Sequence, residues 1–282
     1  MSLDLGNCLD LGIWFLEFKT MKNLLTIKIN EAKRSKRKLF CVFLTLGYPS
    51  IAATERLILS SEKAGVDIIE LGFPFSDPLA DGPTIQYSSE QALKKHVTIR
   101  DAFALVRRLR QKGVKIPILF FGYFNPVYSY GGEAFARDAR SAGIDGLIIP
   151  DLPSEEESEF QRACRKQKLH RVQLVAPTTA DKRAQMLVGK SQGFIYYVSL
   201  RGVTGARKAL PSDLVPHLKK LKGMTKKPVL VGFGVSTPEQ AVEISRISDG
   251  VIVGSAVIEH LKRGIPVAER FIEQMSRAIH SV

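Results

Sequence analysis

Eight short apolar runs recur along the chain, at residues 39–46, 68–71, 116–121, 146–149, 171–175, 194–198, 229–232 and 250–253. Each is continuous rather than alternating, the pattern of strands buried on both faces of a parallel sheet. Between them, apolar positions repeat with helical spacing, as at 52–63, 101–112, 155–167 and 238–245. Thr237-Pro238-Glu239-Gln240 opens the last of these with a capping threonine, a proline at the first helical position, then an acid and an amide. About eight strand–helix units predict an α/β fold, a single (β/α)8 barrel, which takes ~250 residues. The rival is an open doubly wound sheet, which usually has fewer units and a glycine fingerprint after its first strand. Gly47-Tyr48-Pro49-Ser50 carries no such fingerprint. A stretch at 25–34 predicts an extra N-terminal helix plugging the bottom of the barrel. No linker-like or low-complexity segment divides the chain, so residues 21–282 read as one domain and 1–20 as an extension of unassigned role.

Composition changes this picture little. With 282 residues, 45% of them hydrophobic, the chain can bury a substantial core. No apolar run approaches the ~18–20 residues of a membrane span. The run at 11–16 lacks a basic flank and lies among Asp4, Asp10 and Glu17, which predicts no signal peptide. Cys8, Cys41 and Cys164 are odd in number and scattered without a CxxC pair, so neither a disulfide framework nor a metal site is expected. A reducing cytoplasm is the expected location. The net charge of +13 raises nucleic-acid binding. However, basic runs such as 107–110 and 219–222 suit solvated helix faces, and no helix-turn-helix or RNP-type pattern accompanies them. The charge reads instead as a surface able to steer an anionic substrate.

A barrel of this kind builds its active site at the C-terminal strand ends, from the loops that follow them. Glu70 closes the second apolar run, and Asp77 and Asp81 lie in the Pro/Gly/Asp-rich loop after it. A lone buried carboxylate is costly, and a raised pKa is the usual way a protein tolerates one. That same shift suits a general acid or base near neutral pH. Position alone leaves a second reading open, in which Glu70 pairs with a buried Arg or Lys or is exposed at the strand end. Tyr123 and Asn125 follow the third run, Asp151 the fourth, and Tyr196 stands on the sixth. For Asn125, which precedes Pro126, a tight-turn role is the simpler reading. Gly232-Phe233-Gly234-Val235-Ser236 follows the seventh run, and Val253-Gly254-Ser255-Ala256 follows the eighth and opens a helix. Glycines there let backbone N–H groups approach an anion, and barrels often bind phosphate at these two loops. Plain turn glycines are the alternative.

The segment "ELGFPFSDPLADGPTIQ" at 70–86 resembles the signature of the tryptophan synthase α chain family. The resemblance continues in order through "FLTLGYP" (43–49), "GYFNPVYSYG" (122–131), "PDLP" (150–153), "GVTG" (202–205), "GFGVSTPEQ" (232–240) and "VGSAVI" (253–258). It covers the chain from about residue 21 onward. It implies a carbon–carbon lyase that splits indole-3-glycerol phosphate into indole and glyceraldehyde 3-phosphate, the α half-reaction of L-tryptophan biosynthesis. It also implies no cofactor in this chain, and a pyridoxal-phosphate β chain in an α2β2 complex that receives the indole. By resemblance Glu70 and Asp81 are the catalytic pair, Glu70 moving protons and Asp81 accepting the indole N–H. Tyr123, Tyr196, Thr204, Gly205, Gly234, Gly254 and Ser255 fall at substrate and phosphate positions. Phe43, Phe121, Ile148 and Phe233 fall on the indole wall, where ordinary barrel core is the alternative for each. Pro74, Phe75, Asp77 and Asn125 fall where the β chain is met. Leu200-Arg201 in the loop after the sixth run, and Phe124, depart from the family pattern. Two other functions compete: a regulatory subunit that mainly activates a β chain, and another phosphate-binding barrel enzyme of indole or histidine biosynthesis.

Overall fold

The computed structural model describes residues 23–156, 158–198, 213–232 and 234–282. Among them, nine parallel strands form one sheet: β1 (Leu39–Thr45), β2 (Ile68–Gly72), β3 (Ile118–Phe121), β4 (Gly146–Ile148), β5 (His170–Arg171), β6 (Gln173–Val175), β7 (Ile195–Val198), β8 (Val229–Gly232) and β9 (Gly250–Val253). Their order is β5-β4-β3-β2-β1-β9-β8-β7-β6. β5 and β6 are halves of one run interrupted at Val172. Arg171 pairs with Leu147 on one side, and Gln173 pairs with Ile195 on the other. That run joins the two edges of the sheet, so the eight predicted strands close into a barrel.

Every residue of β1, β2, β3, β4, β7, β8 and β9 is buried, which explains why these strands read as continuous apolar runs. The helices packed outside begin with α1 (Leu24–Ser35), α2 (Ile51–Lys63), α3 (Pro83–Leu93), α4 (Ile99–Gln111), α5 (Phe124–Tyr130) and α6 (Gly132–Ala142). They continue with α7 (Ser158–Lys166), α8 (Asp181–Lys190), α9 (Leu214–Gly223), α10 (Pro238–Ile247), α11 (Ser255–Lys262) and α12 (Ile265–Ile279). The Thr237 cap on α10 forms as expected, its side chain accepting from the Gln240 N–H at 3.3 Å. Asn125 departs from expectation: it lies exposed in the first turn of α5 rather than in a tight turn. Pro126 is tolerated there because the first N–H groups of a helix have no intrahelical partner. Asp151 supplies one, its carboxylate oxygens accepting from the Phe124 N–H at 2.9 and 3.1 Å.

The bottom of the barrel is tied by a repeated device. Asp67, Asp145 and Asp249 each stand one residue before a strand and accept the N–H of a residue at or near the start of its neighbour. Phe40 donates to Asp67 at 2.9 Å, Ile118 to Asp145 at 3.1 Å and Val229 to Asp249 at 2.9 Å. Each aspartate N–H returns a bond to the carbonyl of that same residue, at 2.9, 2.9 and 3.0 Å. Basic side chains complete these sites: Arg37 and the His280 ring at Asp67, Arg110 at Asp145 and Lys222 at Asp249. α1 seats on this end as predicted. Leu25 is fully buried, Asn23 donates to the Asp145 carbonyl at 2.6 Å, and the Leu24 N–H donates to the Asp145 carboxylate at 3.0 Å. Removing one partner of a buried pair leaves the other charge stranded. Asp145→Ala is therefore expected to cost about 3–5 kcal/mol, read as a lower urea midpoint.

Part of the positive charge collects here. A cleft of about 300 Å³ on this face is lined by Lys33, Lys36, Lys38, Lys222, Lys226 and Lys227 among others. Lys33 and Lys222 belong to the last turns of α1 and α9, where helix carbonyls favour cations. Burial and the nearby Lys222 lower the pKa of Lys38, opposed by Asp249. The cleft lies at the opposite end of the barrel from the strand ends where a barrel active site forms.

Candidate active site

Glu70 is the middle residue of β2, paired with Phe43 on one side and Leu119 on the other, and is fully buried. Cys41, Phe43, Glu70 and Gly72 share the inward face of their strands. The Phe43 ring lies so close to Gly72 that a Cβ built on that glycine would meet it at 2.2 Å. No side chain larger than hydrogen fits there, so the ring can lie across the mouth of the barrel. Phe43 meets Phe121 edge-on at 5.5 Å, and Ile148 pairs beside Phe121, giving an apolar wall.

The surroundings of Glu70 differ from those of the aspartates below it. Asp67 and Asp145 are also buried, but each has backbone donors and a cation. Glu70 has the Cys41 thiol, whose Sγ–H donates to Oε1 at 3.5 Å, while its Oε2 has no hydrogen-bond partner among the described residues. No Arg or Lys ion pair to Glu70 occurs among those residues, which removes the paired reading. Burial pushes its pKa up to about 8, with the thiol hydrogen bond opposing. Tyr196, on β7, faces the same space. Its hydroxyl is pushed well above its ordinary pKa by burial first and then by Glu70, Cys41 and Asp81. Gly232 makes room for it, since a Cβ there would lie 2.6 Å from the Tyr196 hydroxyl.

Asp81 comes from the loop between β2 and α3, which folds back on itself. The Asp81 N–H donates to the Pro78 carbonyl at 3.0 Å, and Gln86 Nε2 donates to the Asp81 carbonyl at 2.8 Å. The carboxyl is half-buried, and burial raises its pKa to about 6, opposed by a hydrogen bond from Tyr123. The Tyr123 hydroxyl also accepts from the Ala80 N–H at 2.9 Å and stacks on Phe75 at 5.3 Å. Tyr123 thus satisfies loop backbone and touches the acid. Its own ionisation is pushed up by burial and by Asp81.

On the far rim, Gly234 follows β8 with φ +82°, a left-handed backbone that favours glycine. Gly254 precedes α11 without a side-chain cap, and Ser255 is exposed at the first helical position. The first-turn N–H groups of α11 are therefore free of a side-chain acceptor from the N-cap, the arrangement that suits an anion. Thr204, Gly205, Phe233 and the Leu200-Arg201 pair lie outside the described residues. Of the residues expected at a partner surface, Asp77 and Asn125 are exposed, Phe75 is half-buried and Pro74 is buried. Leu79, 94% exposed, and Tyr128, 72% exposed, share their loop and helix. Sequence reading passed over both, although an isolated leucine in a polar loop is a visible signal. It also passed over Cys41, which stands two positions before Phe43 and so shares its face.

A closed parallel barrel with a buried carboxyl inside its mouth, without an ion pair among the described residues, and a second acid on the adjoining loop is the architecture of a (β/α)8 enzyme. Among proteins of known family, residues 29–281 match the model of the tryptophan synthase alpha chain. A tryptophan synthase alpha chain from Geobacter sp. (strain M21) is 46% identical over 231 residues, 82% of this chain and 86% of that one. The alpha chain from Geotalea uraniireducens is 43% identical over 93% of this chain and 99% of its own. The crystal structure of the alpha chain from Legionella pneumophila superposes with a TM-score of 0.85 at 32% identity, over 93% of this chain and 99% of that one. A chain of tryptophan synthase from M. tuberculosis superposes with a TM-score of 0.84 at 33% identity, over 92% of this chain and 99% of that one. The chain belongs to the tryptophan synthase alpha chain family, lyases that cleave indole-3-glycerol phosphate in tryptophan biosynthesis.

Proposed function

We propose that Glu70 and Asp81 carry out the retro-aldol cleavage of indole-3-glycerol phosphate in this chain, Glu70 as the proton carrier and Asp81 as the acceptor for the indole nitrogen. The observation that carries this reading is the Glu70 carboxyl, fully buried with no Arg or Lys ion pair among the described residues, its pKa pushed up to about 8 by burial. Protonated Glu70 gives its proton to indole C3, which makes that carbon tetrahedral and leaves positive charge on the ring nitrogen. Ionised Asp81 accepts the N–H and stabilises that charge. The Glu70 carboxylate then takes the hydroxyl proton from the carbon attached to C3. The bond between C3 and that carbon breaks, its electrons restore the aromatic indole, and the freed carbon becomes the aldehyde of glyceraldehyde 3-phosphate. Glu70 ends as it began, protonated.

Phe43, Phe121 and Ile148 form the indole wall, and Tyr196 stands where it can orient Glu70 or the glycerol hydroxyls. The phosphate goes to Gly205, Gly234, Gly254 and Ser255, the last two supplying first-turn N–H groups of α11. The carbon–carbon cleavage is driven by proton transfers, so it asks no cofactor of this chain; pyridoxal phosphate belongs to a β chain. That partner docks on the mouth of the barrel at Pro74, Phe75, Asp77 and Asn125, with exposed Leu79 and Tyr128 as apolar contacts, in an α2β2 complex. Residues 21–282 form the catalytic domain, with 1–20 as an extension. Among the described residues no helix is long and apolar enough to cross a membrane. The buried thiols of Cys41 and Cys164 suit a reducing cytoplasm.

The direct test is indole release from indole-3-glycerol phosphate by the purified chain, with and without a β chain. A chain that is inactive in both conditions, yet raises β-chain activity, would instead be a regulatory subunit. Active chain should show a bell-shaped pH profile. Cleavage requires ionised Asp81 and protonated Glu70, so kcat/KM should rise through about pH 6 and fall through about pH 8. Stopped assays across pH 5 to 9 on the approximate scale set by these two values read both limbs. A profile that keeps rising above pH 8 would contradict protonated Glu70 as the starting state.

A further inference from the structure

We infer that the Cys41 thiol is a positioning group for the reaction: by donating to Oε1 of Glu70 it assigns the transferable proton to Oε2. The inference rests on the reading of Glu70 as proton carrier and deepens it. Cys41 lies on β1 and Glu70 on β2, both fully buried and both facing into the barrel, with Sγ 3.5 Å from Oε1. A protonated carboxyl has one oxygen that accepts and one that holds the proton. The thiol gives Oε1 its donor, so Oε1 is the accepting oxygen and Oε2 the hydroxyl. Oε2 is also the oxygen without a hydrogen-bond partner among the described residues, which leaves it available to a substrate carbon.

Cleavage needs one carboxyl to give a proton to C3 and then take one from the hydroxyl on the next carbon. A carboxyl anchored at Oε1 performs both steps with the same oxygen, without turning over between them. The weakness of the S–H donor is what the position requires. A strong donor at Oε1 would favour the carboxylate and draw the pKa down, away from a protonated starting state. The thiol does not compete as a base, because burial and the adjacent Glu70 push its own ionisation well above the ordinary range. Across the cavity Tyr196 is likewise held protonated, so Glu70 is the group of this cluster that changes charge near neutral pH.

The experiment compares Cys41→Val, Cys41→Ser and Glu70→Gln in the full chain with its β chain. It measures kcat and KM against pH, and the infrared carbonyl band of Glu70 identified by its loss in Glu70→Gln. Valine keeps the volume and removes the donor. Cys41→Val should lower kcat about 2- to 10-fold, the worth of one neutral hydrogen bond, with KM unchanged. Its high-pH limb should move upward, and the Glu70 carbonyl band should shift to higher frequency. Cys41→Ser, a stronger donor, should restore kcat only on the acid side of the limb and move both the limb and the band the other way. Wild-type kcat, limb and band in Cys41→Val would overturn the inference and mark the thiol as a space-filling group. If Cys41→Val does not fold, as judged by circular dichroism, an unmoved limb and band in Cys41→Ser overturn it equally. Undiminished cleavage by Glu70→Gln would overturn the reading of the site and this inference with it. An inactive Glu70→Gln beside an unchanged Cys41→Val removes the inference alone.

Discussion

Replacing Glu70 with glutamine is expected to lower indole release by about 10²–10⁴-fold, the contribution typical of a general acid–base group, with little change in KM. The amide keeps the size of the side chain and can still accept from the Cys41 thiol, but it cannot hand over a proton. The same variant should be more stable than the parent at high pH. Burial raises the folded-state pKa of Glu70 from 4.5 to about 8, so the fold prefers the protonated form. Its contribution to stability is fully present below about pH 4.5 and is lost as the pH rises through about 8. Glutamine has no such proton to lose. Melting temperatures at acid pH should therefore agree between parent and variant, and above pH 8 the variant should melt higher. Loss of activity combined with gained stability would separate a catalytic role from a structural one. Activity that survives the change would remove Glu70 from the mechanism.

Asp81→Asn should lower kcat/KM by about 10²–10³-fold, the scale found when one preorganised group that meets developing charge is removed. Asparagine can still accept the indole N–H through its amide oxygen, but it brings no charge to oppose the cationic ring. The pH profile gives the sharper readout. The limb near pH 6 belongs to Asp81 and should vanish in the variant, while the limb near pH 8 should stay with Glu70. The loop is expected to keep its fold, because the hydrogen bonds that shape it use the Asp81 backbone rather than its carboxyl. A limb that persists near pH 6 in Asp81→Asn would assign that ionisation to another group.

The contrast between Glu70 and the aspartates at the other end of the barrel explains how the site came to be legible. Asp67 and Asp145 are as deeply buried as Glu70, and all three stand in or directly before apolar runs. Reading along the chain cannot separate them by burial. The strand direction does, because residues before a run lie at the bottom of the barrel and residues at its end lie at the mouth. Partners then complete the distinction: backbone N–H groups and cations at Asp67 and Asp145, and, among the described residues, a thiol at Glu70. A weak internal repeat, an aspartate directly before an apolar run at 67, 145 and 249, was available in the sequence as a sign of the lower device.

The sequence by itself determined the barrel and the address of its chemistry. Short continuous apolar runs fit strands buried on both faces, eight of them with intervening helices close a barrel, and carboxylates late in or after the second run fall toward its mouth. These conclusions need only local periodicity and chain order. What the sequence could not determine depends on contacts between residues distant along the chain. The Cys41 thiol meets Glu70 across 29 residues, and the Tyr123 hydroxyl meets the loop at Ala80 across 43. Gly72 and Gly232 read as ordinary strand-end glycines until the Phe43 and Tyr196 rings are seen lying against them. The exposure of Leu79 and Tyr128 follows from how one loop and one short helix turn outward. Desolvation completes the division: the pKa of Glu70 is set by the low-dielectric interior that the whole barrel creates around it, and no local sequence pattern encodes that field.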